Sequence, residues 1–290
     1  MSDAPAWFQD ALARAPSSHR VTAEGCEIHY LRWGPETGDQ PGILFLHAGG
    51  AHARWWSFIA PFFSESRAVA AIDFSGMGDS ARREAYSSDL HVAEIAAVLE
   101  HGRLGPNPIV VGHSFGGFIA MCHGHRYGAE LTGIVFVDTA LRPPVEAKEN
   151  PVEAYTRPTR YYPDRETILD RFRLGPAQPC ENTFLLEYIA ENSIVEHAEG
   201  WAWKFDVAAR GAAHHDEPLA DYVKGLECKK ALIYGAESSM VTPEVVPYLQ
   251  GLFAPGEPVV EIPGGHHHLF LDHPIAFVAA VRAIISGWNR

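Results

Sequence analysis

The chain has 290 residues, with 36 Asp and Glu against 23 Lys and Arg, and a net charge of −13. A nucleic-acid binder needs a basic face, so this balance argues against one, and it gives no attraction to an anionic membrane. A hydrophobic fraction of 47% can fill one large α/β domain, or such a core with an inserted subdomain.

The opening "MSDAPAWFQDALARAP" lacks the basic start and apolar run of a signal peptide. No stretch approaches the roughly 18 apolar residues of a spanning helix. Cys26, Cys122, Cys180 and Cys228 are scattered, with no CxxC pair, which fits reduced thiols and a cytoplasmic location.

"HRVTAEGCEIHYLRW" predicts two short strands around a Glu24-Gly25 turn. "GILFLH" is a continuous apolar run and predicts a buried strand. "WWSFIAPFFSE" has helical content, and "RAVAAIDFSG" predicts a second buried strand ending at Asp73. "DLHVAEIAAVLEHG" has apolar residues at helical spacing, with Gly102 as its stop. "PIVVGHS" predicts a third strand, "FGGFIAMCHGHRYG" a helix and "LTGIVFVDTA" a fourth strand. This alternation implies an α/β fold with a mostly parallel sheet and helices on both faces.

The rhythm breaks at "LRPPVEAKENP", where Pro143, Pro144, Pro151, Pro158 and Pro163 end the alternation. Residues 141–225 read as an inserted, mainly helical cap, leaving 1–140 and 226–290 as the core. Trp201, Trp203 and Phe205 favour a lid over an idle surface loop. Trp201 or Trp203 is a candidate to line a substrate pocket. Strands resume at "KKALIYGA" and "PVVEIP", with a helix near "TPEVVPYLQGLF" between them and another at the end.

Two places carry chemistry. Gly112-His113-Ser114-Phe115-Gly116 matches G-x-S-x-G where a buried strand turns into a helix. Glycines leave room for that sharp turn, which presents Ser114 Oγ at the strand end. An oxyanion beside it needs donors. "LHAGGAH" supplies the Gly49 N–H, which pairs with the Phe115 N–H, while His47 shapes the turn.

"GGHHHLFLDHP" then places His266, His267 and His268 together, with His273 before Pro274. Adjacent side chains point in different directions, so the run is a poor metal site. His214, His215 and Asp216 read as a polar loop, and Asp73 and Asp79 as turn-forming residues. No metal and no cofactor is expected.

"HAGG", "DFSGMGDS", "GHSFGG" and "IPGGHHHLFLDHP", in this order, resemble the α/β-hydrolase fold family over nearly the whole chain. Ala48 departs from the glycine usual there. The family's catalytic histidine stands seven residues before the proline opening the last helix, which implies His267, with His266 or His268 as one-residue slips. On that register His268 and His273 are packing or surface residues. The acid usually lies three residues after the glycine of "ALIYG", but Ser238 stands there. Two carboxylates compete: Asp138, closing "IVFVD", and Glu237. Asp138 is favoured because a rigid strand end fixes its position.

The resemblance implies a Ser-His-acid hydrolase of a small or medium carboxylic ester, with an acyl-enzyme intermediate. Lactone opening or carbon–carbon cleavage on the same triad is the alternative. A ligand-binding protein of hydrolase fold is the reading from another class. The expected partner is a small ester-like molecule.

Overall fold

The structure is a computed structural model that describes residues 4–36, 40–141, 158–211 and 218–288. Strands β1 (Ser17–Ala23) and β2 (Cys26–Trp33) form an antiparallel hairpin. Next come β3 (Ile43–Leu46), β4 (Val69–Ile72), β5 (Ile109–His113) and β6 (Gly133–Val137). Every residue of these four strands is buried. Helices cover both faces, so the strands carry continuous apolar runs instead of alternation.

Strands β7 (Ile194–His197) and β8 (Gly200–Trp203) pair with each other outside the main sheet. Strands β9 (Lys229–Gly235) and β10 (Val259–Ile262) complete an eight-stranded sheet in the order β1-β2-β4-β3-β5-β6-β9-β10. Strand β2 runs antiparallel to β4, and every pairing from β4 across to β10 is parallel.

Helix α1 (Ala6–Ala13) precedes the sheet. Helix α2 (Ser88–His101) starts where the Ser87 side chain accepts the Leu90 N–H, and ends at Gly102 as its sequence predicts. Helix α3 (Phe115–Tyr127) springs directly from β5. "WWSFIAPFFSE" has its helical content as 3₁₀ turns, the end of Ala53–Trp56 and the whole of Ala60–Phe63. Pro61 falls inside the second turn, where a continuous α-helix would need its missing N–H.

Between β6 and β9 lie α4 (Arg165–Leu169), α5 (Thr183–Asn192), the β7–β8 hairpin, α6 (Val207–Gly211) and α7 (Leu219–Lys224). The described part of this segment is mainly helical, as expected, and the hairpin is the addition the sequence reading lacked. Its residues "IVEH" and "GWAW" are rich in β-branched and aromatic side chains, and Gly200 at φ +123° opens the second strand. Short helices α8 (Val246–Gln250) and α9 (Leu269–Asp272) precede the final α10 (Pro274–Trp288).

The core lies on both faces of the sheet. On one face Trp56 stacks on Phe270 at 4.6 Å, backed by Phe45 and Phe277. On the other, Phe74, Ile95, Ile119 and Phe136 pack under α2 and α3. The four cysteines form no disulfide.

The crossing of β5 into α3 is tight. A Cβ on Gly116 would sit 2.7 Å from the carbonyl oxygens of Leu46 and His47, and one on Gly112 would sit 2.6 Å from the Gly116 carbonyl oxygen. In an ordinary helix Gly→Ala stabilises by about 1 kcal/mol. Gly116→Ala is expected to do the reverse, destabilising by about 1–3 kcal/mol through overpacking. Urea denaturation of wild type and variant reads the sign.

Burial also holds several histidines neutral. Burial is the largest cause pushing His47, His113 and His268 below their ordinary value, and it takes His52 down to about 3 and His123 to about 4. The unfolded chain protonates these side chains near pH 6.5, where the folded chain resists. The unfolded state therefore binds more protons below pH 6.5, and stability falls with pH by up to about 1.4 kcal/mol per pH unit per histidine. Calorimetric melts are expected to show a midpoint dropping steeply below pH 6.5, with net proton uptake on unfolding at pH 5. A midpoint flat between pH 6.5 and 5 would contradict this account.

Candidate active site

The turn after β5 places Ser114 at φ 51°, ψ −114°, a region that non-glycine residues rarely occupy. Its N–H donates to the Val137 carbonyl at 3.0 Å, and its own carbonyl accepts from Gly117 and Phe118, the first turn of α3. The packing of α3 against β3 over-determines the strained residue. Asp138, one residue past β6, is also at positive φ (44°), with its N–H bound to the Ile233 carbonyl at 2.8 Å.

Both side chains meet His267. Ser114 Oγ lies 3.0 Å from His267 Nε2, and His267 Nδ1 lies 2.6 Å from Asp138 Oδ2. The carboxylate only accepts, so Nδ1 carries the hydrogen and Nε2 is left to accept from Ser114. His267 and Asp138 are buried, while Ser114 is half-buried.

Glu237, the competing carboxylate, is exposed, and its N–H bonds the Gly265 carbonyl at 2.8 Å. Ser238 instead donates to Asp138 Oδ2 at 2.6 Å while its oxygen accepts the N–H groups of Met240 and Val241. The Gly235 N–H binds the other oxygen, Oδ1, at 3.1 Å. The residue at the family's usual acid position therefore supports a carboxylate supplied by the neighbouring strand.

His113, the variable residue of G-x-S-x-G, has a role that the motif itself does not specify. Its Nε2–H donates to the His267 carbonyl at 2.9 Å, and its ring lies 4.8 Å from that of His267. It is buried and held well below the usual histidine range, mainly by desolvation and then by His267 and His268. Only its place between the glycine and the serine hinted at this contact.

His266 bonds Asp272 through both its N–H and its ring, and His273 is exposed. His268 is 1% exposed. It packs 4.9 Å from His267 and 5.1 Å from Trp55, so of the two expectations it is a packing residue and not a surface one.

On the oxyanion side, a Cβ placed on Gly49 would touch the Phe115 Cβ at 3.6 Å, so the two backbones are adjacent. Among the described residues neither the Gly49 N–H nor the Phe115 N–H has an acceptor, whereas the Gly50 N–H points at Met77 Sδ, 3.2 Å away. His47 shapes this turn: Nδ1–H donates to the Ala48 carbonyl at 2.7 Å, and Nε2 accepts the Phe74 N–H at 3.1 Å.

Asp73 braces the same loop from below. Its oxygens accept the N–H groups of Ala53 (2.5 Å) and Asp79 (2.9 Å) and the His29 ring at 2.7 Å. Burial alone would raise its carboxyl, but the His29 hydrogen bond and nearby histidines hold it at about 2.

A pocket of about 190 Å³ opens beside Gly49 and His268. Trp55, Phe172, Leu174 and Trp203 supply its apolar wall. Trp201, two residues before Trp203 on β8, does not line it; its backbone pairs with that of Tyr162.

Among the described residues two clusters could offer ligands to a metal: His113, His267 and His268, and His29, Asp73 and Asp79. In the first, both nitrogens of His267 are already held by Asp138 and Ser114. In the second, the Asp73 carboxylate already accepts from the His29 ring and the Asp79 backbone. His214, His215 and Asp216 lie outside the described residues.

The chain is 30% identical over 284 residues to the esterase Rv0045c of Mycobacterium tuberculosis, covering 93% of this chain and 90% of that protein. A solved structure of that M. tuberculosis esterase superposes with a TM-score of 0.75 at 24% identity, covering 97% of this chain and 96% of the other. The thioesterase domain from the curacin biosynthetic pathway matches in fold, with a TM-score of 0.76 at 21% identity over 92% of this chain and 99% of that domain. The model of the alpha/beta hydrolase family matches residues 43–281. With the sheet order, the turn at Ser114 and these likenesses in hand, the chain belongs to the alpha/beta hydrolase family.

Proposed function

We propose that the chain is a serine hydrolase of small or medium carboxylic esters that works through an acyl-enzyme intermediate. The observation that carries this reading is the unbroken contact from Ser114 Oγ through His267 to Asp138. Asp138 fixes the tautomer of His267 and stabilises the imidazolium that forms. His267 takes the proton of Ser114 as its oxygen attacks the ester carbonyl. The Gly49 and Phe115 N–H groups receive the oxyanion. His267 then gives its proton to the departing alcohol, and a water activated by the same ring releases the acid.

Residues 141–225 act as a cap over a core of 1–140 and 226–290. Phe172, Leu174 and Trp203 of this segment wall the pocket, which supports that role. An engineered cavity of about 150 Å³ holds benzene, so a pocket of this size suits a group of about six to eight non-hydrogen atoms. Rv0045c is named an esterase, which favours ester cleavage over lactone or carbon–carbon bond cleavage. No helix among the described residues is long and apolar enough to cross a membrane. No step of this mechanism calls for a metal or a cofactor.

Ser114→Ala is expected to abolish ester turnover and fluorophosphonate labelling while circular dichroism stays unchanged. Labelling of the variant at another residue would move the nucleophile. His267→Ala is expected to lose activity to a similar degree, because serine and histidine act as a unit.

Asp138→Asn is expected to lower kcat by about 10³–10⁴-fold, as loss of the orienting carboxylate does in a serine protease. Glu237→Gln is expected to stay near wild type. Ser238→Ala removes one hydrogen bond to the carboxylate and is expected to cost about 10- to 100-fold. Steady-state kinetics on a chromogenic butyrate ester ranks the three. A crippled Glu237→Gln beside an active Asp138→Asn would reassign the acid.

A further inference from the structure

The pocket beside Gly49 and His268 has a charge pattern that ester cleavage alone does not require. Arg171 and Arg173 line it, and among the described residues no carboxylate does. That is notable in a chain with 36 acidic residues against 23 basic ones. Among the described residues the Arg171 guanidinium has no hydrogen-bond or ion-pair partner. Arg173 spends Nη1 on the carbonyls of Asp170 and Phe172, at 3.0 and 2.6 Å. Its Nε and Nη2 remain for a ligand.

A second, independent feature lies deeper. His268 lines the same pocket and is 1% exposed, yet neither ring nitrogen has a hydrogen-bond partner. The Gly175 backbone faces the ring without reaching bonding geometry. A buried polar group left unpaired costs about 1–3 kcal/mol, and an oxygen of a bound molecule removes that cost. The wall between these groups is apolar, formed by Trp55, Leu174 and Trp203.

We infer that the substrate is an ester carrying a carboxylate a few bonds from the scissile carbonyl. The carboxylate meets Arg171 and Arg173 at the pocket mouth, and His268 donates to an oxygen of the part held inside. Arginine suits this task because its planar fork matches a carboxylate. The volume of about 190 Å³ limits the linking chain to a short one. The inference rests on the esterase reading above.

The test compares kcat/KM by pH-stat for matched pairs. Monomethyl glutarate against dimethyl glutarate places the anion on the acid side. Carboxymethyl butyrate against propyl butyrate places it on the alcohol side. In one pair the anionic ester is expected to be preferred at least tenfold, and that pair identifies the side. The preference is expected to shrink as salt rises from 50 to 500 mM, because exposed charges are screened. Arg171→Ala/Arg173→Ala is expected to cut the anionic-to-neutral ratio at least tenfold, and Arg171→Glu to cut it further, with circular dichroism reporting folding.

Turnover of neutral esters with no anionic preference in either pair overturns the inference and leaves the esterase reading standing. A preference that survives both arginine variants overturns it too. No turnover of any ester, with Ser114 unlabelled by fluorophosphonate, overturns the esterase reading and this inference with it.

Discussion

Asp138 is fully buried, and a buried carboxylate must have its lone pairs met. Three donors from three places in the chain do so: the Gly235 backbone, the Ser238 hydroxyl and the His267 ring. Each donor is fixed in turn. Gly235 ends β9, Ser238 is locked by two backbone N–H groups, and the carbonyl of His267 is held by His113. The site is therefore a consequence of satisfying one charge inside the protein. Remove that charge and Ser238, His267 and Gly235 lose the group that aligns them.

The backbone strain around it follows the same logic. Ser114 and Asp138 close adjacent parallel strands, β5 and β6, and both sit at positive φ. A strand that ends smoothly would send its next side chain along the pleat. The reversed conformation turns both side chains to the C-terminal edge of the sheet, where ligands of open α/β sheets gather. Packing from Gly112 and Gly116, with bare backbone contacts, holds the strained state in place.

The inserted segment is tied to the core by polar contacts around the pocket. The His52 ring bonds Ser193 at 2.8 Å, and the backbones of Gly76 and Gly78 pair with Asp206 and Lys204. These contacts converge on the Asp73 loop, which also positions the turn carrying Gly49. A change in the inserted segment can thus reach the oxyanion side without touching Ser114. The long sequence separations explain why this wiring leaves no local signal.

The sequence by itself determined the alternating strands and helices, the elbow at Ser114 and the turn after Glu24, because neighbouring residues and φ/ψ limits set these within a few positions. Its resemblance to the family pointed to His267 among three adjacent histidines and favoured Asp138 over Glu237. Only tertiary structure brought Asp138 rather than Glu237 to His267, since β6 and β9 are neighbours in the sheet though about a hundred residues separate their ends. It likewise gave Ser238 and His113 their places, put Trp203 and not Trp201 in the pocket wall, and formed the β7–β8 hairpin. Those outcomes depend on which side chains face each other after long stretches of chain close, and no local periodicity encodes that pairing.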